Sequence, residues 1–273
     1  MANTEEMARA AALPQADASS LVDARELEEK VKEMYGQVAR EEVGDLHFEV
    51  GRELAEHLGY PPALLDRIPP EAVASFAGVG YHLDLASLAE GEAVLDLGSG
   101  SGTDVFCCAV GVGRSGTATG VDFTRAQVAK AQRLRERDGF AQVRFVEGRI
   151  DDLPFDAAMF DAVISNGVIN LSVDKTRVFS DAARVLRPGG RLVIADIVSG
   201  RALKERTRRN VDLWAACIGG AIPRASYFEA IDAAGFAVQD VRRNDYRFVS
   251  ERALDACATY EVQSVSLMAV KVS

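Results

Sequence analysis

Apolar residues recur at Leu27, Val31, Met34, Tyr35 and Val38, a spacing that predicts an amphipathic helix from Val22 to about Ala39. A second helix is expected from Val50 to Leu58, where Gly59 and the Pro61-Pro62 pair end it. The first 20 residues, rich in Ala, Ser and acids, show little periodicity and are read as a disordered tail. From Ala93 onward short apolar runs alternate with amphipathic stretches. Strands are predicted at Ala93 to Leu97, Thr117 to Val121, Val143 to Glu147, Ala162 to Ser165 and Arg191 to Asp196. Between them lie helices from about Thr103, from Thr124 to Arg137 and from Lys175 to Val185. A helix from Ala225 to Ala234 and strands at Ala237 to Val241 and Val265 to Val270 follow, the last strand placed antiparallel. The rhythm predicts an α/β fold, a doubly wound, mostly parallel, seven-stranded Rossmann-like sheet. Residues 21 to 90 are then an N-terminal helical lid with a loop that covers the site, and residues 91 to 273 the core, with an insert at about 200 to 224.

The first core strand ends in Asp96-Leu97-Gly98-Ser99-Gly100-Ser101-Gly102, an acid followed by a glycine loop that opens a helix. Such a loop lets the backbone approach a ligand, and the helix behind it offers free amide groups. A dinucleotide fingerprint needs glycine where Thr103 stands, and its pyrophosphate would meet Asp96 with like charge. No lysine lies in the loop, which excludes a P-loop. Asp96 can instead pair with the ammonium of a methionine moiety. Asp122, twenty positions beyond Gly102 at the end of the second strand, suits ribose hydroxyls. Together the two acids favour S-adenosylmethionine over NAD as cofactor.

Composition narrows the partners. The 273 residues, 48% hydrophobic, suffice for one large core, and a formal charge of -10 opposes a general nucleic-acid binder. A small-molecule substrate is expected. Glu5 and Glu6 interrupt any leader-like N-terminus, and no uncharged apolar run reaches the ~18 residues of a membrane span, so a cytoplasmic protein is expected. Cys107, Cys108, Cys217 and Cys257 lack C-x-x-C spacing, and no metal site is predicted. Oligomeric state is not legible.

With the glycine loop, Asp122, the segment Gly148-Arg149-Ile150-Asp151-Asp152-Leu153-Pro154 and Leu186-Arg187-Pro188-Gly189-Gly190 in this order, the chain resembles class I S-adenosylmethionine-dependent methyltransferases. Ile164-Ser165-Asn166-Gly167-Val168-Ile169-Asn170-Leu171 with Asp174-Lys175, Leu213-Trp214-Ala215-Ala216-Cys217, and Pro70 to Phe76 are similar to the arsenite methyltransferase family. That resemblance implies contacts from Gly98, Ser99 and Gly100 to the methionine end, Asp122 to the ribose, Phe123 to the adenine face, and Arg149 and Ile150 to the adenine edge. It also implies a lid tyrosine at Tyr35 and site roles for Asn166 and Val168. The family places cysteines in the loop after Phe76, after Ser-Asn, and after the Trp. Here the first two places read Ala77-Gly78-Val79-Gly80 and Gly167, and only Cys217 remains. Trivalent arsenic is a soft centre that wants about three thiolates. The reading is therefore a methyltransferase acting on a small organic N, O, C or S nucleophile, with arsenite methylation by a reduced thiol set as the alternative. A catalytically silent cofactor-binding protein is a rival of another class. If the nucleophile must lose a proton, His82, in Gly80-Tyr81-His82, is the candidate base, and Cys217 the substrate-side thiol. The basic run from Arg201 to Arg209 is read as a solvated face or a lure for anions.

Overall fold

The computed structural model describes Asp23–Arg40, Phe48–Ala215 and Cys217–Val272, so the tail expected over residues 1 to 20 lies outside the described residues. Helix α1 (Ala24–Ala39) starts at Asp23, whose side chain accepts from the Arg25 and Glu26 amides. This N-cap satisfies two of the four donors that a helix start leaves open. Short helices α2 (Arg52–His57), α3 (Pro62–Leu65), α4 (Pro70–Ala74) and α5 (Leu83–Ala86) lead to strand β1 (Ala93–Leu97). Proline at the first position of α3 and of α4 lacks the amide that would be orphaned there.

The core then runs α6 (Thr103–Val112), β2 (Thr117–Asp122), α7 (Arg125–Arg137), β3 (Val143–Glu147), β4 (Phe160–Asn166), α8 (Lys175–Val185) and β5 (Leu186–Val198). After it come α9 (Glu205–Arg208), α10 (Val211–Ala215), α11 (Arg224–Ala233), β6 (Phe236–Arg243), α12 (Glu251–Tyr260) and β7 (Gln263–Lys271). The sheet has seven strands in the order β3-β2-β1-β4-β5-β7-β6, and only β7 runs antiparallel. The expected doubly wound, mostly parallel sheet with an antiparallel last strand is therefore present.

Alternation along β1 explains how the two faces fill. Val94 packs in the cluster containing Phe106 and Val128, from α6 and α7, whereas Leu95 and Leu97 join Phe179 and Ile231, from α8 and α11. Asp96, two residues from Val94, points to the α6 face. Strand order reverses between β1 and β4, and the crevice at their carboxyl ends is where open α/β sheets bind ligands.

Two differences from the sequence expectation have physical causes. β5 begins at Leu186, five residues early, because Leu186 pairs with Phe160 and the register shifts before Ala162 meets Arg191. α12 was not anticipated. Its Ser250 side chain accepts from Ala253, an N-cap, and the helix buries Ala253 and Ala256 against a cluster that holds Cys217.

Candidate active site

The glycine loop is fixed from the neighbouring strand. Gly98 and Ser99 amides donate to the Val121 carbonyl at 2.8 and 3.0 Å, and Gly100 donates to Asp122 Oδ2 at 2.9 Å. Asp122 Oδ1 accepts from the Thr124 amide at 2.7 Å. Gly98 has φ +71°, and a Cβ there would collide with the Val168 methyls. Only glycine allows β1 to turn under that side chain.

Asp96 is 4% exposed and lines the cleft, and its carboxylate has no hydrogen-bond partner among the described residues. Burial, together with the Asp104 and Asp122 charges, holds its carboxyl well above the usual range. Ser99 Oγ is likewise buried without a partner. An acid without a partner beside the free Ser99 hydroxyl fits a ligand bearing an ammonium and a carboxylate, the two groups of a methionine end.

The cleft has two lobes, of about 720 and 590 Å³, that share Val31, Phe123, Val168 and Leu171. Asp96, Gly98, Ser99, Gly100, Asp122 and Asn166 line the first; Arg149, Ile150 and Asp151 line the second. Apolar walls around one ring face suit a flat base. Phe123 is covered on one side by Lys32, with Nζ 5.3 Å from the ring centroid. The Arg149 guanidinium is committed elsewhere, to Asp151 at 2.9 Å and to Glu28 on α1 at 2.6 Å. It ties α1 to the second lobe, whereas the resemblance implies a contact to the adenine edge.

Tyr35 lines the first lobe, and its carbonyl accepts from Gln127 Nε2 at 2.8 Å. Its phenol interacts with the Cys217 thiol, and burial raises its pKa well above 10. Cys217 Sγ donates to the Gly167 carbonyl at 3.4 Å, and burial pushes the thiol up to about 12. A Cβ on Gly167, at φ +74°, would lie 3.2 Å from Val79 Cγ1. The two further positions at which the resemblance implies cysteines therefore meet beside Cys217, and they hold Gly167 and the Ala77 to Gly80 loop. Cys107 and Cys108 are buried in α6. α12 folds back and packs Cys257 against the Cys217 cluster, but Cys257 does not line the cleft.

The candidate catalytic residues His82 and Asn166 are placed differently from each other. His82 is 0% exposed and lines neither lobe, and burial lowers its pKa, so it has no route to a substrate proton. Asn166 lines the cleft, but its amide is spent on the protein. Oδ1 accepts from the Val79 amide at 2.7 Å, while Nδ2 serves Gly80 O, Tyr60 Oη and Asp104 Oδ2 at 3.0 to 3.1 Å. The Tyr60 hydroxyl donates to Asp104 Oδ1 at 2.5 Å. Asn166 is a clamp that fixes the loop after Phe76, and a Cβ on Gly78 would sit 2.5 Å from its Nδ2. Asp104, Tyr60, Gln127 and Glu28 were missed from sequence. Asp104 alone carried a signal, as an acid in the first turn behind the glycine loop.

A sheet of this order, with a glycine loop between two acids at its switch point, is the fold and site of the class I S-adenosylmethionine-dependent methyltransferases. Residues 88–252 match the family model described as a methyltransferase domain, and the chain belongs to that family. It is 38% identical over 203 residues to an arsenite methyltransferase of Aquipseudomonas alcaligenes, covering 72% of this chain and 58% of that protein. The chain thus spans less than two thirds of that relative's length. The crystal structure of an arsenic(III) S-adenosylmethionine methyltransferase from Chlamydomonas reinhardtii aligns with TM-score 0.62 and 29% identity, covering 82% of this chain and 75% of that one. A geranyl diphosphate C-methyltransferase from Streptomyces coelicolor shares the fold with TM-score 0.63 at 18% identity, covering 90% and 98%.

Proposed function

We propose that the protein transfers the methyl group of S-adenosylmethionine to a small organic nucleophile. The observation that carries the acceptor class is the make-up of the cleft wall beside Cys217. One thiol stands behind it, its Sγ bonded to the carbonyl of the cleft-lining Gly167, and burial pushes its pKa up to about 12, so it is protonated at neutral pH. A soft trivalent centre needs several thiolates, which this wall does not offer.

When bound, the cofactor supplies a methyl group already activated by its sulfonium. The chain's own residues bind, orient and exclude water. Asp96 would hold the ammonium, the Ser99 hydroxyl the carboxylate, Asp122 the ribose, and Phe123 with Ile150 the base. Asn166 fixes the loop that closes the acceptor side, and Tyr35 and Val31 of α1 cover the cleft. Alignment and desolvation of this kind supply most of the acceleration for such a transfer. The lining, as far as the described residues go, contains no histidine, lysine or arginine in the first lobe. An anionic acceptor would find no counter-charge there, which supports a neutral or cationic acceptor that presents its own lone pair.

Arsenite methylation with fewer protein thiols is the second reading. It is favoured by the Cys217 thiol bonded to the cleft-lining Gly167 and by the relatives' activity. The test is S-adenosylhomocysteine release with a panel of neutral amines, phenols and thiols, beside arsenite with excess glutathione. Turnover confined to arsenite, lost in Cys217→Ala, would replace the organic reading. Cofactor binding without turnover on any acceptor would favour a silent binding protein.

A further inference from the structure

Behind the acceptor wall lies a buried polar chain that touches neither lobe. Asp196, near the end of β5, accepts three hydrogen bonds: from the Ile197 amide at 2.7 Å, the Asn170 amide at 2.9 Å and the Tyr227 hydroxyl at 2.8 Å. Asn170, fully buried in the single turn Ile169–Leu171, donates its side-chain amide to the Cys217 carbonyl. Lys175 Nζ donates to the Asn170 and Ser172 carbonyls at 3.2 and 2.9 Å and lies 5.9 Å from the centre of the Trp214 ring.

The segment held by this chain has little freedom of its own. Cys217 has φ +62°, a left-handed backbone that a non-glycine residue keeps only where its surroundings hold it. The Ile218 and Gly219 amides both donate to the Leu213 carbonyl at 2.8 Å, and a Cβ on Gly219 would lie 2.8 Å from the Trp214 nitrogen. Trp214 Nε1 donates to the Leu171 carbonyl at 3.2 Å, and its ring packs with Leu27 and Val31 of α1. One turn therefore carries the thiol that meets Gly167 and the ring that seats the helix covering the cleft.

We propose that Asn170 and Asp196 are positioning residues that set the Trp214 to Cys217 turn and, through the bond from the Cys217 thiol to the cleft-lining Gly167 carbonyl, the acceptor wall. This rests on the methyl-transfer reading above. Neither residue contacts the cofactor lobes, so their loss separates from loss of cofactor affinity. Misplacing an acceptor wall by about 1 Å lowers transfer by about a hundredfold without a matching loss in ligand binding.

The experiment uses the full chain with Asn170→Ala, Asp196→Asn and Tyr227→Phe, the last removing only one bond to Asp196. Trp214 is the only tryptophan in the chain, so its emission and acrylamide quenching report the turn directly. Expected are a severalfold larger quenching constant and a kcat about ten- to a hundredfold lower in Asn170→Ala, with S-adenosylhomocysteine affinity within about threefold of wild type. Asp196→Asn falls between, and Tyr227→Phe shows the smallest change. Wild-type quenching and kcat in Asn170→Ala would overturn the proposal, as would a parallel loss of kcat and cofactor affinity. If Asn170→Ala does not fold, the same comparison in Tyr227→Phe decides. Should the wild type turn over no acceptor, the methyl-transfer reading fails on its own. The graded quenching series would then still support the positioning role, and a flat series would overturn it.

Discussion

Asp96→Asn is the perturbation that separates a ligand-binding acid from a structural one, because the two readings predict opposite signs for stability. The carboxylate is 4% exposed, unpartnered, and close enough to Asp104 and Asp122 for their charges to raise its pKa. A carboxyl whose folded pKa is raised weakens folding once pH passes its unfolded value, so at pH 7 the buried acid is a burden on the free protein. An isosteric amide removes that burden and should stabilise the ligand-free protein by about 1 to 2 kcal/mol, about 2 to 4 °C in Tm for a chain of this size. The same change removes a charge-assisted bond to the cofactor ammonium, about 1.5 to 3 kcal/mol, or about ten- to a hundredfold in Kd. Differential scanning calorimetry of the free protein and titration calorimetry with S-adenosylhomocysteine read the two effects separately. A variant that is less stable and binds as wild type would refute the assignment. So would unchanged behaviour in both assays.

Further outcomes follow from other parts of the molecule. His82→Gln should leave the pH dependence of kcat unchanged while altering stability, since the ring lines neither lobe; a lost acidic limb in the rate profile would return it to the mechanism. Arg149→Ala breaks two ion pairs of a half-exposed guanidinium, so stability should fall by less than about 1 kcal/mol. Cofactor affinity should fall only a fewfold, and a hundredfold loss in the same titration would mean direct contact. Burial lowers the Lys175 amine from 10.5 to about 8, so the unfolded chain holds a proton that the folded chain sheds between these values. Its contribution to stability therefore rises from pH 8 to 10.5, by up to about 3 kcal/mol. Burial raises Asp196 to about 6, so its contribution falls as pH climbs from 3.8 to that value. Urea midpoints should show the Lys175 limb above pH 8 in wild type and its absence in Lys175→Met; superimposable curves would refute it.

What was legible in the sequence is what depends on local pattern. The strands of the core are apolar runs buried on both faces, and the glycine loop needs residues that no other side chain replaces, so both could be read without the fold. Roles that depend on a distant partner could not. Asn166 stands at the strand end where ligands bind, yet its amide is consumed by Val79, Gly80, Tyr60 and Asp104, up to 106 positions away in the chain. His82 has the chemistry of a base and a position before the cofactor strand, but the α5 turn sends it inward. The Arg149 tie to Glu28 could not be read either, because Glu28 comes from a helix 121 residues earlier.

The buried acids show why one position in this fold speaks of a ligand and the others do not. Among the described residues the buried carboxylates are Asp96, Asp104, Asp122 and Asp196, a residue type rarely buried unless paired. Asp104 receives Tyr60 and Asn166, Asp122 receives two backbone amides, and Asp196 receives three donors with Lys175 nearby. Each of these three is explained by the protein itself. Asp96 is not, and it sits where β1 meets the glycine loop, with two like charges close by. Local consistency fails there and nowhere else in the set, the signature expected of a functional position. A cation arriving from outside would satisfy it, and the adjoining Ser99 hydroxyl and apolar lobe fit the rest of such a ligand.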